Sequence, residues 1–74
     1  MTRIDARGLS CPEPVILTKR AMQESDSEYE ILVDNVAAKE NVTRYAQHEG
    51  YTVKVSTEDS GDSYVLLAFR SNEV

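Results

Sequence analysis

A two-layer α/β sandwich of βαβαββ order, with two helices on one face of a four-stranded mixed sheet, is the fold class this sequence predicts. Three observations carry that expectation. Two segments with helical apolar spacing interleave with segments of period-two alternation. The last two strand-like segments are joined by a polar turn, which makes them a hairpin. The final segment is apolar at both parities, as expected of a strand flanked on both sides, whereas the alternation of the one before it fits an edge. Two right-handed crossovers then place both helices on the same side of the sheet.

The elements follow in order. From Thr2 to Ala6, Ile4 and Ala6 share one face while Arg3, Asp5 and Arg7 share the other, predicting the first strand. Gly8 breaks the alternation, and Gly8-Leu9-Ser10 leads into Cys11. The helix that follows gathers Val15, Thr18, Ala21 and Met22 near one face, with Leu17 at its margin and Lys19, Arg20, Gln23 and Glu24 opposite. Ile16 falls on the polar side, where it either packs under a loop or stands exposed for a docking partner. Ser25-Asp26-Ser27 is a polar break, after which Tyr29, Ile31 and Val33 alternate with Glu30, Leu32 and Asp34 as the second strand. Asp34 or Asn35 caps the next helix, whose stripe Ala38, Val42, Tyr45 and Ala46 runs to a stop at Gly50. Tyr51, Val53 and Val55 alternate with Thr52, Lys54 and Ser56, residues 58–62 turn, and Tyr64 to Phe69 form the last strand. One face of such a sheet carries no helix, so the second set of apolar side chains on the last strand needs cover from loops, termini or another subunit.

Composition narrows the function. Seventy-four residues suffice for one domain, residues 1–74, with one modest core. Hydrophobic residues at 41% and charged residues at 28% describe an ordinary globule rather than a disordered tail. No apolar run approaches the ~20 residues of a membrane span, and Met1-Thr2-Arg3-Ile4-Asp5 lacks the apolar core of a signal peptide, so a cytoplasmic location is expected. A net charge of -5 and the absence of Trp disfavour direct binding to nucleic acid and leave proteins as the expected partners.

Cys11, the one cysteine, lies in Cys11-Pro12-Glu13-Pro14 directly ahead of a helix. Unpaired backbone NH groups and the positive end of the helix dipole favour a thiolate there. With Cys11 as the cap, Pro12 takes the first helical position and Pro14 falls in the same turn, where neither missing NH breaks the ladder. Glu13 resists helical angles because it precedes a proline. The two prolines leave the NH of Glu13, and that of Val15, to face the sulfur. A helix end contributes ~0.3 to 1 kcal/mol at an exposed site, lowering a thiol pKa by less than about one unit from ~8.5. Arg7, Lys19 and Arg20 would add to this effect and Glu13 would oppose it. Such a thiol both attacks and leaves readily, the compromise that exchange between sulfur atoms requires.

Other chemistries lack their residues. Without a second cysteine there is no dithiol cycle. His48, the single histidine, sits near the end of the second helix on the side away from Ala38 and Val42, where a surface role is expected rather than a relay to Cys11. One Cys and one His are too few for a tetrahedral zinc site, so no metal is expected. Three isolated glycines make no phosphate loop.

The run Asp5-Ala6-Arg7-Gly8-Leu9-Ser10-Cys11-Pro12-Glu13-Pro14 resembles the N-terminal signature of the TusA/SirA/YedF sulfur-carrier family, a Cys-Pro-x-Pro motif preceded by Gly-Leu. Val33-Asp34-Asn35 and Ala37-Ala38-Lys39-Glu40-Asn41-Val42 are similar to the YedF branch in particular, so the resemblance covers most of the chain. It implies the same βαβαββ fold with sheet order 1-2-4-3 and an antiparallel fourth strand. It also implies an activity: the motif cysteine, here Cys11, accepts sulfane sulfur as a persulfide from a donor such as a cysteine desulfurase and relays it to an acceptor protein. Pro12 and Pro14 would shape the helix mouth with Glu13 between them. Gly8, beside Leu9, would let the backbone turn near the thiol, while Asp5 and Arg7 would hold the loop or dock a partner. No cofactor is implied, and the role is that of a sulfurtransferase component rather than a stand-alone enzyme. Proteins resembling YedF usually carry a further C-terminal domain, for which 74 residues leave no room, so the chain is either an independent carrier or an excised domain. The same branch is linked to selenium metabolism, which keeps a selenium-related carrier open.

Two other classes stand beside this one. A regulatory or protein-binding module would use the helix mouth and Ile16 for docking and would tolerate Cys11→Ser. A redox sensor would accumulate sulfenate or glutathione adducts on Cys11 in place of persulfide. A core thiol is the plainest alternative, and a loop between a glycine break and a proline-bounded helix is a poor place for one.

Overall fold

A computed structural model describes residues 2–10, 12–24, 27–58, 61 and 63–70. The described elements run β1 (Thr2–Asp5), α1 (Glu13–Met22), β2 (Glu28–Val33), α2 (Val36–His48), β3 (Thr52–Thr57) and β4 (Tyr64–Phe69). The strands form one sheet of order β1-β2-β4-β3, the expected 1-2-4-3. β1 pairs with β2 in parallel, with Ile4 opposite Ile31, and β4 is antiparallel to both β2 and β3. β1, β2 and β3 therefore point the same way. Because each helix returns the chain to start the next strand, both helix N-termini lie at the end of the sheet where those three strands finish.

Alternation decides which side chains enter the core. Ile4, Tyr29, Ile31, Val33, Leu66 and Ala68 face the helices and are buried, meeting Ala38, Val42 and Ala46 of α2. α1 closes the layer with buried Pro14 and Thr18 and with the half-buried Val15, Leu17, Ala21 and Met22. The Thr18 hydroxyl donates to the Pro14 carbonyl at 2.9 Å, so it is buried with a partner. Tyr29 and Tyr51 meet edge to face, with ring centroids 5.7 Å apart.

The helix ends follow their residues. Asn35, rather than Asp34, caps α2: its side chain accepts from the Ala38 NH at 2.7 Å. At the other end Gly50 takes φ +92°, its NH reaching the Gln47 carbonyl while the Tyr51 NH reaches that of Ala46. This is a Schellman stop, and it delivers Tyr51 into the core. α1 begins one residue later than the sequence predicts. Pro12 is its cap and Glu13 its first helical residue despite preceding Pro14, because the Glu13 NH turns back onto the Ser10 carbonyl at 2.9 Å.

Long polar side chains lie over the face without helices. Arg3 pairs with Glu30 at 3.5 Å, and the Lys54 ammonium lies 5.8 Å from the centre of the Phe69 ring. Arg7 follows β1 at one edge of the sheet and Glu58 follows β3 at the other, yet they meet at 3.5 Å. Their span crosses the end of the sheet, past the ends of β2 and β4. Leu32, which the alternation assigns to the polar parity, is buried on this face.

Candidate functional site

The signature residues occupy the connection from β1 to α1, at the end of the sheet where β1, β2 and β3 finish. In open α/β sheets this end is where ligands meet the chain, because loops and helix N-termini converge there. Cys11 itself lies outside the described residues. What surrounds it in sequence is held residue by residue.

Asp5 and Arg7 form a fork. The Arg7 side chain donates from Nε to Asp5 Oδ1 at 2.9 Å and from Nη2 to Oδ2 at 2.8 Å, and the Arg7 backbone NH reaches Oδ1 at 3.2 Å. Those hydrogen bonds hold the Asp5 carboxyl at a pKa of about 2, and the same contact raises Arg7. With its remaining nitrogen turned to Glu58, the guanidinium is engaged on both sides. The charge of Arg7, expected to favour a thiolate, is matched by two carboxylates. Lys19 and Arg20 both lie in the last turn of α1, about 9 Å or more along the axis from its start.

Gly8 makes the turn. Its φ of +81° lies in the left-handed region that favours glycine, and a side chain there would meet nothing within 4 Å, so the requirement is conformational rather than spatial. The Gly8 NH donates to Asp34 Oδ2 at 2.8 Å, across 26 residues of sequence. Leu9 is half-buried and packs against the core, Ser10 and Pro12 are exposed, and Pro14 is buried under α1. Glu13 is exposed. Its NH, expected to face the sulfur, is instead spent on the Ser10 carbonyl, while the Pro12 carbonyl takes the Ile16 NH at 3.1 Å. The loop thus alternates anchors, Gly8, Leu9 and Pro14, with exposed positions either side of Cys11.

Asp34 is the functional candidate that reading the sequence assigned elsewhere. Its position before a helix reads as a cap, and nothing local distinguishes it from Asn35; only the parallel pairing of β1 with β2 brings it beside Gly8. Ile16 is 42% exposed, one turn into α1, so of the two alternatives its place on the polar side left open the structure takes exposure over packing under a loop. His48 is 85% exposed at the far end of α2, 3.6 Å from Glu49, and takes no part in the loop. A surface groove of about 390 Å³ between α2 and β3, lined by residues such as Lys39, Thr43 and Val55, includes none of the loop residues. Among the described residues no helix is long and apolar enough to cross a membrane.

Known proteins resemble this chain in sequence and fold. The family model described as "Sulfurtransferase TusA" matches residues 2–68. "Putative sulfur carrier protein MJ0990" of Methanocaldococcus jannaschii is 40% identical over 69 residues, covering 90% of this chain and 92% of that protein. "Putative sulfur carrier protein YrkI" of Bacillus subtilis is 36% identical over 61 residues, 80% of each chain. The crystal structure of a SirA-like protein from Desulfitobacterium hafniense superposes with a TM-score of 0.80 at 32% identity, covering 96% of this chain and all of that one. With a family model matching residues 2–68, a relative 40% identical over most of both chains and a solved structure of the same fold, the chain belongs to the TusA sulfurtransferase family.

Proposed function

We propose that this protein is a sulfur carrier in which Cys11 takes up sulfane sulfur as a persulfide and hands it to an acceptor protein. The observation that carries the reading is the loop of residues 8–14. It is anchored by the Gly8–Asp34 hydrogen bond, by Leu9 on the core and by buried Pro14, and it is exposed at Ser10 and Pro12 on both sides of the cysteine. Membership of the family and the names of the relatives support the same chemistry.

In the first step the Cys11 thiolate attacks the outer sulfur of a donor persulfide. A new sulfur–sulfur bond forms on Cys11, the donor's own sulfur–sulfur bond breaks, and the donor leaves as a thiolate. In the second step an acceptor thiolate attacks the outer sulfur of the Cys11 persulfide, and Cys11 departs as the leaving thiolate. Electrons balance without an external oxidant or reductant, and neither step calls for a metal or an organic cofactor. A cysteine desulfurase suits the donor role, because it presents a protein-bound persulfide. A single thiol with no disulfide partner suits the reducing cytoplasm. Exposed Ile16, one turn from the loop, offers an apolar contact to either partner.

Incubation with a cysteine desulfurase and free cysteine, followed by intact mass measurement, tests the reading. The expected product is a gain of one sulfur atom that a reducing agent removes and that Cys11→Ser does not acquire. Absence of that gain with several donors, or glutathione adducts in its place, would overturn it.

A further inference from the structure

We infer that Asp34 is the positioning residue of the sulfur-bearing loop, and that Asn35 fixes Asp34 to the start of α2; the inference rests on the sulfur-carrier reading above. The parallel ladder between β1 and β2 ends with the Ala6 NH on the Leu32 carbonyl at 2.8 Å. Beyond it the chain leaves the sheet and turns at Gly8, whose φ is +81°. There the Gly8 NH finds the side chain of Asp34, just past the end of the neighbouring strand, which accepts it at 2.8 Å. Asp34 thereby adds one rung to the ladder while the backbone changes direction.

The second oxygen of Asp34 is also occupied. Asp34 Oδ1 accepts from Asn35 Nδ2 at 3.3 Å, and Asn35 Oδ1 accepts the Ala38 NH at 2.7 Å. Three hydrogen bonds in series therefore run from the first turn of α2 to the amide three residues ahead of Cys11. The far end of the loop is fixed independently, by the Glu13 NH on the Ser10 carbonyl and by the burial of Pro14. Both flanks of the cysteine are thus held, and a positioned nucleophile is what sulfur transfer between two proteins requires. Asp34 acts through Gly8 rather than on the sulfur, so its contribution is geometric. An uncharged side-chain oxygen in the same place keeps the short Gly8 hydrogen bond and gives up only the longer one from Asn35, so it should serve nearly as well.

The test compares Asp34→Ala with Asp34→Asn in the full chain, and uses Gly50→Ala, at the opposite end of α2, as a control for lost stability. Two readouts are taken: hydrogen exchange of the Gly8 amide by NMR, and the rate of sulfur uptake from a cysteine desulfurase supplied with cysteine. Asp34→Ala should exchange the Gly8 amide about tenfold faster or more. The same variant should load sulfur about tenfold more slowly. Asp34→Asn should return both quantities to within about threefold of the parent, and Gly50→Ala should leave both unchanged. Unchanged Gly8 exchange in Asp34→Ala overturns the inference, as does an asparagine variant as slow as the alanine one, which would assign the effect to charge. If the parent protein takes up no sulfur, the carrier reading fails together with the role given to Asp34, while Gly8 exchange still reports whether the tie exists.

Discussion

Asp5 and Arg7 illustrate how much of this site is built from single residues. Their bidentate contact depresses the Asp5 carboxyl to about 2, and a carboxyl lowered on folding contributes stability that is present above its unfolded pKa near 3.8 and is lost as pH falls toward 2. An NMR titration should therefore place the Asp5 midpoint near 2. In Asp5→Asn the stability deficit against the parent should be constant at neutral pH and shrink below pH ~4; a midpoint near that of a free carboxyl would remove the fork. Gly8 is the second case. At φ +81° an alanine has space but not a comfortable backbone, so Gly8→Ala should cost about 1–2 kcal/mol by urea denaturation. An alanine variant as stable as the parent would show that the loop relaxes to another conformation.

Among the elements, α2 shows the role of its ends. Its first turn contains no acidic residue, so the Asn35 cap is the main local device opposing fraying there. Asn35→Ala should lose about 1 kcal/mol, which for a domain of this size corresponds to a fall in Tm of roughly 4–8 °C. Scanning calorimetry decides it, and Asn35→Ser should recover most of the loss because serine caps as well. β3 behaves in the opposite way. Val55 is 47% exposed on this edge strand, so Val55→Thr should change stability by no more than about 0.5 kcal/mol despite lying within a strand.

For the molecule as a whole, a small core leaves little margin. A chain of 74 residues is expected to have a stability of about 4–11 kcal/mol, at 0.05–0.15 kcal/mol per residue. Leu66 is fully buried in the central strand β4 and faces both Ile31 and Val55 across the ladders. Leu66→Ala should cost about 2–5 kcal/mol, a large part of that total, and leave the protein partly unfolded at 37 °C by circular dichroism. The Arg7–Glu58 contact joins the segments that follow the two edge strands, β1 and β3, across the end of the sheet.

The element types, their order and the placement of β4 inside the sheet were legible in the sequence, because period-two and helical spacing are set by backbone geometry and a strand with neighbours on both sides must be apolar on both faces. The signature around Cys11 was legible for the same local reason: glycine and proline announce a turn and a helix start wherever they occur. What the chain could not announce was which distant groups meet. Asp34 and Asn35 are adjacent polar residues before a helix; either could serve as the local cap that Asn35 supplies to Ala38, and only the parallel pairing of β1 with β2 brings Asp34 to Gly8. Arg7 reads as a free cation until the sheet closes and brings Glu58 from the opposite edge to meet it. Local geometry is written in neighbouring residues, whereas hydrogen bonds across tens of residues exist only once packing has brought the strands together.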